Sequence, residues 1–149
     1  MKRSKRLRPV QHLAERRRKE AEQQLGAAQQ QLLAEQQKLV QLEQYLADYQ
    51  QSLLQTGRDG VAIDQLQRLQ SFKHRLLDAL AQQRRQIEFC RQLLDRAKQT
   101  WHQASGRERA MESLIDRAAQ QEARDEEKLL QKQIDELAQS RRSRPRVDG

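Results

Sequence analysis

The amino-acid sequence predicts an all-α fold: a long antiparallel two-helix coiled coil, or α-hairpin, whose second helix overhangs the first. Of the 149 residues, 34% are charged and only 3% are aromatic, and the β-branched residues that favour strands are scarce. Apolar residues recur at heptad spacing in two long rows, which is typical of coiled coils. One glycine-containing segment, residues 56–60, separates the two rows.

The first row predicts a helix over about residues 5–55. It repeats every seven residues through Leu25, Leu32, Leu39, Leu46 and Leu53. The alternate heptad position is filled by Ala28, Glu35, Leu42 and Tyr49. Toward the N-terminus we expect the row to continue, after one irregular step near Leu25, through Ala21, Arg17, Ala14, Val10 and Leu7.

The segment 56–62 is predicted to be a loop, because Gly57 and Gly60 permit the positive φ angles of a chain reversal. A second helix is predicted over about residues 63–139, with Asp64 favouring the positive end of its dipole. Its seam runs through Leu66, Leu69, Lys73, Leu76, Leu80, Gln83, Ile87, Cys90, Leu94, Ala97, Trp101, Ala104, Glu108, Met111, Ile115 and Ala118. Residues 1–140 would form one antiparallel coiled-coil domain, followed by a basic disordered tail, residues 140–149.

A chain folded back at residue 59 places residue 5 beside about residue 113. Residues 115–138 would then lack a partner within the chain, and we expect their apolar row to bind another protein. This row consists of Ile115, Ala118, Leu129, Leu130 and Ile134.

The positive charge of the chain lies at its two ends. Residues 1–19 hold nine Lys or Arg against Glu15, and residues 139–149 hold four Arg against Asp148. The two ends together carry a net charge of +11. The whole chain carries +8, so the residues between the ends carry −3. Such ends bind an acidic protein surface, phosphate groups or anionic lipid.

Catalytic chemistry has little support in the sequence. Cys90 is the only cysteine and is expected to be a small buried hydrophobe, and the three histidines are not spaced for a triad or a metal site. There is no phosphate-binding loop, no membrane-spanning apolar run and no signal peptide. We expect a cytoplasmic protein that is not an enzyme, with no cofactor.

Near the loop the apolar residues exceed what one two-stranded seam can cover. Leu66, Leu77 and Leu80 form one stripe, while another contains Leu69, Phe72, Leu76 and Ala79. On the first helix an additional row is formed by Leu42, Tyr45 and Tyr49. We interpret these rows as an exposed patch that binds another protein, with a wider local core or a dimer as the alternative.

The basic segment at residues 16–19 is superficially similar to a basic-zipper DNA reader. The loop favours a hairpin over a parallel dimer, and the chain has no Asn for reading bases, so specific nucleic-acid binding is not expected. Non-specific binding to nucleic acid or to anionic membrane stays an alternative.

An ordered set of residues over about 7–140 resembles the flagellar FliJ family. The set comprises Leu25-Gly26, Leu39-x-x-Leu42-x-x-Tyr45-x-x-x-Tyr49, Gly60-Val61-Ala62, Leu69-Gln70-x-Phe72-x-x-x-Leu76-x-x-Ala79, and Trp101. The resemblance implies a coiled coil similar to the central stalk of rotary ATPases. It also implies association with the hexameric flagellar export ATPase, the export-gate membrane protein and export chaperones, on the cytoplasmic face of the inner membrane.

The resemblance also implies site residues. Gate binding would fall to Leu42, Tyr45, Tyr49, Phe72, Leu76 and Ala79. Lys38 and Gln83 stand where the family is known to have Gln and His. From the basic ends and the unpaired apolar row, we expect the ATPase ring, or another acidic surface, to be bound by Arg6, Arg8, Arg16, Arg17, Arg18, Ile115 and Leu129. The stalk protein of a related virulence secretion system is the nearest alternative.

Overall fold

A computed structural model describes residues 2–60 and 62–143. Helix α1 spans Arg3–Asp59 and helix α2 spans Ile63–Ser143, and no strand occurs among the described residues. The two helices pack against each other, so the predicted all-α antiparallel hairpin is confirmed. Helix α2 extends beyond the predicted end at residue 139, so residues 140–143 are helical instead of disordered. The rest of the predicted tail lies outside the described residues.

The turn is shorter than the predicted loop 56–62. Helix α1 continues through Gly57 to Asp59, and Gly60 follows with a φ of 79°. The carbonyl oxygen of Ala62 accepts hydrogen bonds from the backbone nitrogens of Gln65 and Leu66, both at 3.1 Å, as α2 begins. Among the described glycines, Gly60 alone has a positive φ. Gly57 is helical, a position that costs a glycine about 1 kcal/mol relative to alanine.

On α1 the covered positions follow the 3-4 heptad spacing without a break. Those on the seam are Ser4, Leu7, Gln11, Ala14, Arg18, Ala21, Leu25, Ala28, Leu32, Glu35, Leu39, Leu42, Leu46, Tyr49, Leu53 and Thr56, and Glu15, Gly26 and Gln36 beside the seam are also half-buried. The irregular step predicted near Leu25 was wrong, since Arg18 and Gln11 occupy the seam instead of Arg17 and Val10, and Val10 is 45% exposed. A supercoiled helix keeps one face toward its partner even where that face is polar.

On α2 the predicted seam is confirmed from Leu69 to Ala118, and Glu122 extends it. Leu66 is the exception, being 44% exposed in the second turn of the helix. Cys90 is 2% exposed beside the seam residues Ile87 and Leu94, so the expectation of a small buried hydrophobe is confirmed.

The chain forms two compact units. One consists of Lys19–His102, and its core includes Tyr49, Leu76, Leu80 and Ile87. The other consists of Met1–Arg18 with Gln103–Gly149, and Ala118 is buried there.

In the second of these units, α1 meets α2 further along the chain than predicted. The backbone N–H of Ser4 donates to Oε1 of Glu122 at 2.9 Å, and Lys2 forms an ion pair with Glu126. Ile115 and Ala118 therefore belong to the seam, and their predicted exposure was wrong. A helical side chain such as that of Glu122 leans toward the N-terminus of its own helix, which accounts for part of this difference.

Candidate partner-binding surfaces

An aromatic cluster lies on the unit formed by Lys19–His102. The hydroxyl of Tyr49 donates to the carbonyl oxygen of Leu69, and its ring lies 5.1 Å from that of Phe72, at an angle of 49°. Burial raises the pKa of Tyr49, so its hydroxyl stays a hydrogen-bond donor at neutral pH. Tyr49 thus connects the two helices and fixes the position of the Phe72 ring.

The predicted gate-binding residues divide into two groups. Tyr45 is 60% exposed and Phe72 is 50% exposed, whereas Tyr49 is 9% and Leu76 8% exposed. Leu42 and Ala79 are half-buried. The accessible surface is therefore smaller than the predicted patch: two exposed aromatic rings stand on a buried base of Tyr49 and Leu76.

The predicted stripes on α2 divide in the same way. Leu80 is 2% exposed and belongs to the seam, whereas Leu66 and Leu77 are 44% and 42% exposed. One neighbouring helix covers only a narrow face, so the surplus leucines stay outside.

The end of α2 forms an exposed arm, residues 127–143. Every residue of this arm is exposed, including its large apolar side chains. Leu129 and Leu130 are each 58% exposed, Ile134 is 51% and Leu137 is 66% exposed. The predicted unpaired segment thus exists, but it starts about a dozen residues later than residue 115.

The basic residues of the N-terminal segment have different roles. Arg6, Arg8, Arg16 and Arg17 are exposed. Arg18, by contrast, lies on the seam, and its Nε contacts Oε2 of Glu108 at 2.7 Å, the two side chains being 25% and 16% exposed. Its contact with Glu108 makes Arg18 part of the helix pairing, in contrast to the exposed role predicted for it.

Comparison with known proteins was made for the whole sequence. The family model described as flagellar FliJ protein matches residues 3–146. The chain belongs to the flagellar FliJ protein family. No curated protein and no solved structure matches it. As a member of the FliJ family, the chain is a component of the flagellar type III export apparatus. Within the described residues, no helix is long and apolar enough to cross a membrane.

The two positions that depart from the residues associated with the FliJ family meet at one carboxylate. Nε2 of Gln83 donates to Oε2 of Glu35 at 2.6 Å, and Nζ of Lys38 lies 3.3 Å from Oε1 of the same group. Gln31 adds a hydrogen bond of 3.0 Å. The bond from Gln83, more than those from Lys38 and Gln31, lowers the pKa of Glu35, although burial of the residue opposes this shift. Gln83 thus contacts Glu35 across the seam, whereas the Lys38 side chain is 62% exposed.

Sequence reasoning missed a row of exposed apolar residues on the outer face of α1. Leu33 is 55%, Val40 63% and Leu54 68% exposed. The row was detectable, because these residues directly follow the seam leucines at 32, 39 and 53 and therefore recur at multiples of seven.

Proposed function

We propose that this FliJ family chain is a stalk-like coupling component of the flagellar export apparatus. It binds the hexameric export ATPase through its basic N-terminal segment and its exposed arm. It binds the export-gate membrane protein through the aromatic cluster. The observation that carries the proposal is the FliJ family match over residues 3–146, together with exposed apolar surface in both compact units.

The proposed gate-binding surface has the features of an interaction hot spot. Tyr45 and Phe72 present aromatic rings to solvent at 60% and 50% exposure. The Phe72 ring is held by Tyr49, so little side-chain freedom is lost when a partner covers it. Aromatic residues on a fixed base are the type that contributes most binding energy in protein interfaces.

The proposed ATPase-binding surface combines charge with apolar area. Arg6, Arg8, Arg16 and Arg17 provide exposed positive charge, which suits an acidic protein surface. The arm adds four exposed apolar side chains, which would be covered in a complex.

The proposed mechanism is not catalytic. A coiled coil that contacts a ring of ATPase subunits favours one subunit state over another only by contacting the two states differently. Binding to the gate protein would hold the chain at the cytoplasmic face of the inner membrane. Emptied export chaperones would be further binding partners, in agreement with the resemblance that the sequence shows.

The ATPase part of the proposal is tested by measuring the affinity of the chain for the export ATPase of the same organism. Leu129→Glu with Ile134→Glu places charge on the arm, and we expect at least about a tenfold weaker affinity, equivalent to about 1.4 kcal/mol. Leu66→Glu is the matched control, since Leu66 is also exposed but lies outside the arm. Unchanged affinity of the arm variant would contradict the assignment of this surface.

A further inference from the structure

The outer face of α1 carries an apolar stripe that the proposed function does not use. With the seam leucines Leu25 to Leu53 as position a of the heptad, the stripe occupies position b and is formed by Gly26, Leu33, Val40, Ala47 and Leu54. Its three large side chains are each more than half exposed. Leu33 and Val40 line a shallow groove together with Gln36, Gln37 and Gln41.

The residues flanking this stripe are nearly free of charge. Positions e and f beside it hold Gln29, Gln30, Gln36, Gln37, Glu43, Gln44, Gln50 and Gln51. Seven of these eight residues are glutamine, although 34% of the whole chain is charged. A face without basic residues does not suit phosphate groups or anionic lipid. Depletion of charge around exposed apolar residues is instead typical of the centre of a protein interface.

We propose that this face binds the same face of a second copy of the chain, in an antiparallel dimer with its two-fold axis at Val40. In this register Val40 faces Val40 of the partner subunit, Leu33 faces the partner's Ala47, and Leu54 faces the partner's Gly26. A large side chain thus meets a small one at each end of the stripe, which fills space without steric overlap.

The flanking glutamines also match in this register. A two-fold axis between antiparallel helices brings position e opposite e and f opposite f. Gln29 then faces the partner's Gln50, Gln30 faces the partner's Gln51, and Gln37 faces the partner's Gln44. Each amide both donates and accepts hydrogen bonds, so these pairs are complementary. Glu43 faces the partner's Gln36, so no two carboxylates are opposed.

Gly26 supplies an independent argument. A Cβ atom built on Gly26 would meet nothing within 4 Å, so packing inside one chain does not require glycine there. Glycine within a helix costs about 1 kcal/mol relative to alanine, and the backbone of Gly26 is helical. The close approach of Leu54 from a second copy accounts for the missing side chain. A parallel pairing would put Gly26 opposite Gly26 and leave a gap.

The dimer leaves the proposed gate-binding surface accessible. At 100° per residue, Tyr45 lies about 140° around α1 from Val40. This dimer rests on a different face of α1 from the proposed function, so a chain that does not dimerise can still bind the gate protein, and a chain that dimerises can still fail to bind it.

The first test is sedimentation velocity of the full chain over a range of concentrations. We expect a monomer–dimer equilibrium in the wild type. Val40→Glu and Val40→Lys should each raise the dissociation constant at least about tenfold, because apolar area is lost and like charges meet at the axis. An equimolar mixture of the two variants should restore dimerisation. A wild-type chain that stays monomeric at every concentration would overturn the proposal and leave the face to a helix of another protein.

The second test determines the orientation by disulfide formation. Under mild oxidation Val40→Cys should form covalent dimers. Leu54→Cys alone should not, but a mixture of Leu54→Cys and Gly26→Cys should. The wild-type chain is the control, since Cys90 is only 2% exposed. Efficient self-linkage of Leu54→Cys would show a parallel pairing and overturn the antiparallel register.

Discussion

Gln83 on α2 holds Glu35 on α1 through one nitrogen. Its Nε2 donates to the carbonyl oxygen of Glu35 at 2.8 Å and to the carboxylate of the same residue at 2.6 Å. Both residues occupy seam positions, and Glu35 is only 5% exposed. A polar pair between seam positions helps to specify the register of a coiled coil, since a shift of one heptad would place both groups against apolar side chains.

The polar pair is expected to cost stability in exchange for this specificity. Gln83→Leu alone should lower the urea midpoint of unfolding, because the Glu35 carboxylate loses its main hydrogen-bond donor. Combining it with Glu35→Leu should raise the midpoint above that of the wild type, as replacement of buried ionic groups by apolar residues often does. A urea midpoint of Gln83→Leu equal to that of the wild type would show that the hydrogen bond between Gln83 and Glu35 does not stabilise the fold.

The lowered pKa of Glu35 predicts how stability depends on pH. The folded state holds this carboxylate ionised more strongly than the unfolded chain does, where its pKa is near the ordinary value of 4.5. The resulting stabilisation is fully present above that pH and is lost as the pH falls through the lowered pKa of the folded state. Urea titrations between pH 6 and about pH 3 should show this loss in the wild type and a smaller loss in Glu35→Gln. Identical pH profiles of the two proteins would show that Glu35 is not the cause of the loss of stability at low pH.

Neighbouring arginines should respond differently to substitution. Arg18→Ala removes the seam contact with Glu108 and should lower the free energy of unfolding by about 1–3 kcal/mol. Arg17→Ala, at an exposed position, should change it by no more than about 0.5 kcal/mol. Chemical denaturation of the two variants checks this, and equal effects would mean that the ion pair with Glu108 does not stabilise the fold.

The heptad pattern was sufficient to predict the hairpin, the seam of α2 and most of the seam of α1. It failed between Leu7 and Ala21, where Gln11 and Arg18 occupy the seam and the apolar Val10 lies outside it. The pairing near Ser4 was also wrong, although Tyr49 meets Leu69 and Glu35 meets Gln83 as a reversal at residue 59 requires.

The exposure of the aromatic residues was predicted less well than the seam. The sequence identified Tyr45, Tyr49, Phe72 and Leu76 as surplus apolar residues, but two residues one helical turn apart are covered to very different degrees. Tyr49 lies on the seam and is 9% exposed, whereas Tyr45 lies beside it and is 60% exposed. The heptad row of α1 had placed Tyr49 on the seam and Tyr45 outside it, so the periodicity predicted exposure better than the count of surplus apolar residues did.

The proposed gate-binding surface consists of exposed aromatic rings on a buried base. Its most direct test is calorimetric titration of the chain with the cytoplasmic part of the export-gate protein. Tyr45→Ala with Phe72→Ala should weaken binding by at least about tenfold, with helicity by circular dichroism unchanged. Phe89→Ala with Leu93→Ala, at exposed positions of α2 outside both proposed interfaces, is the matched control and should bind as the wild type does. Wild-type affinity of the aromatic variant, or equal losses in both variants, would contradict the claim.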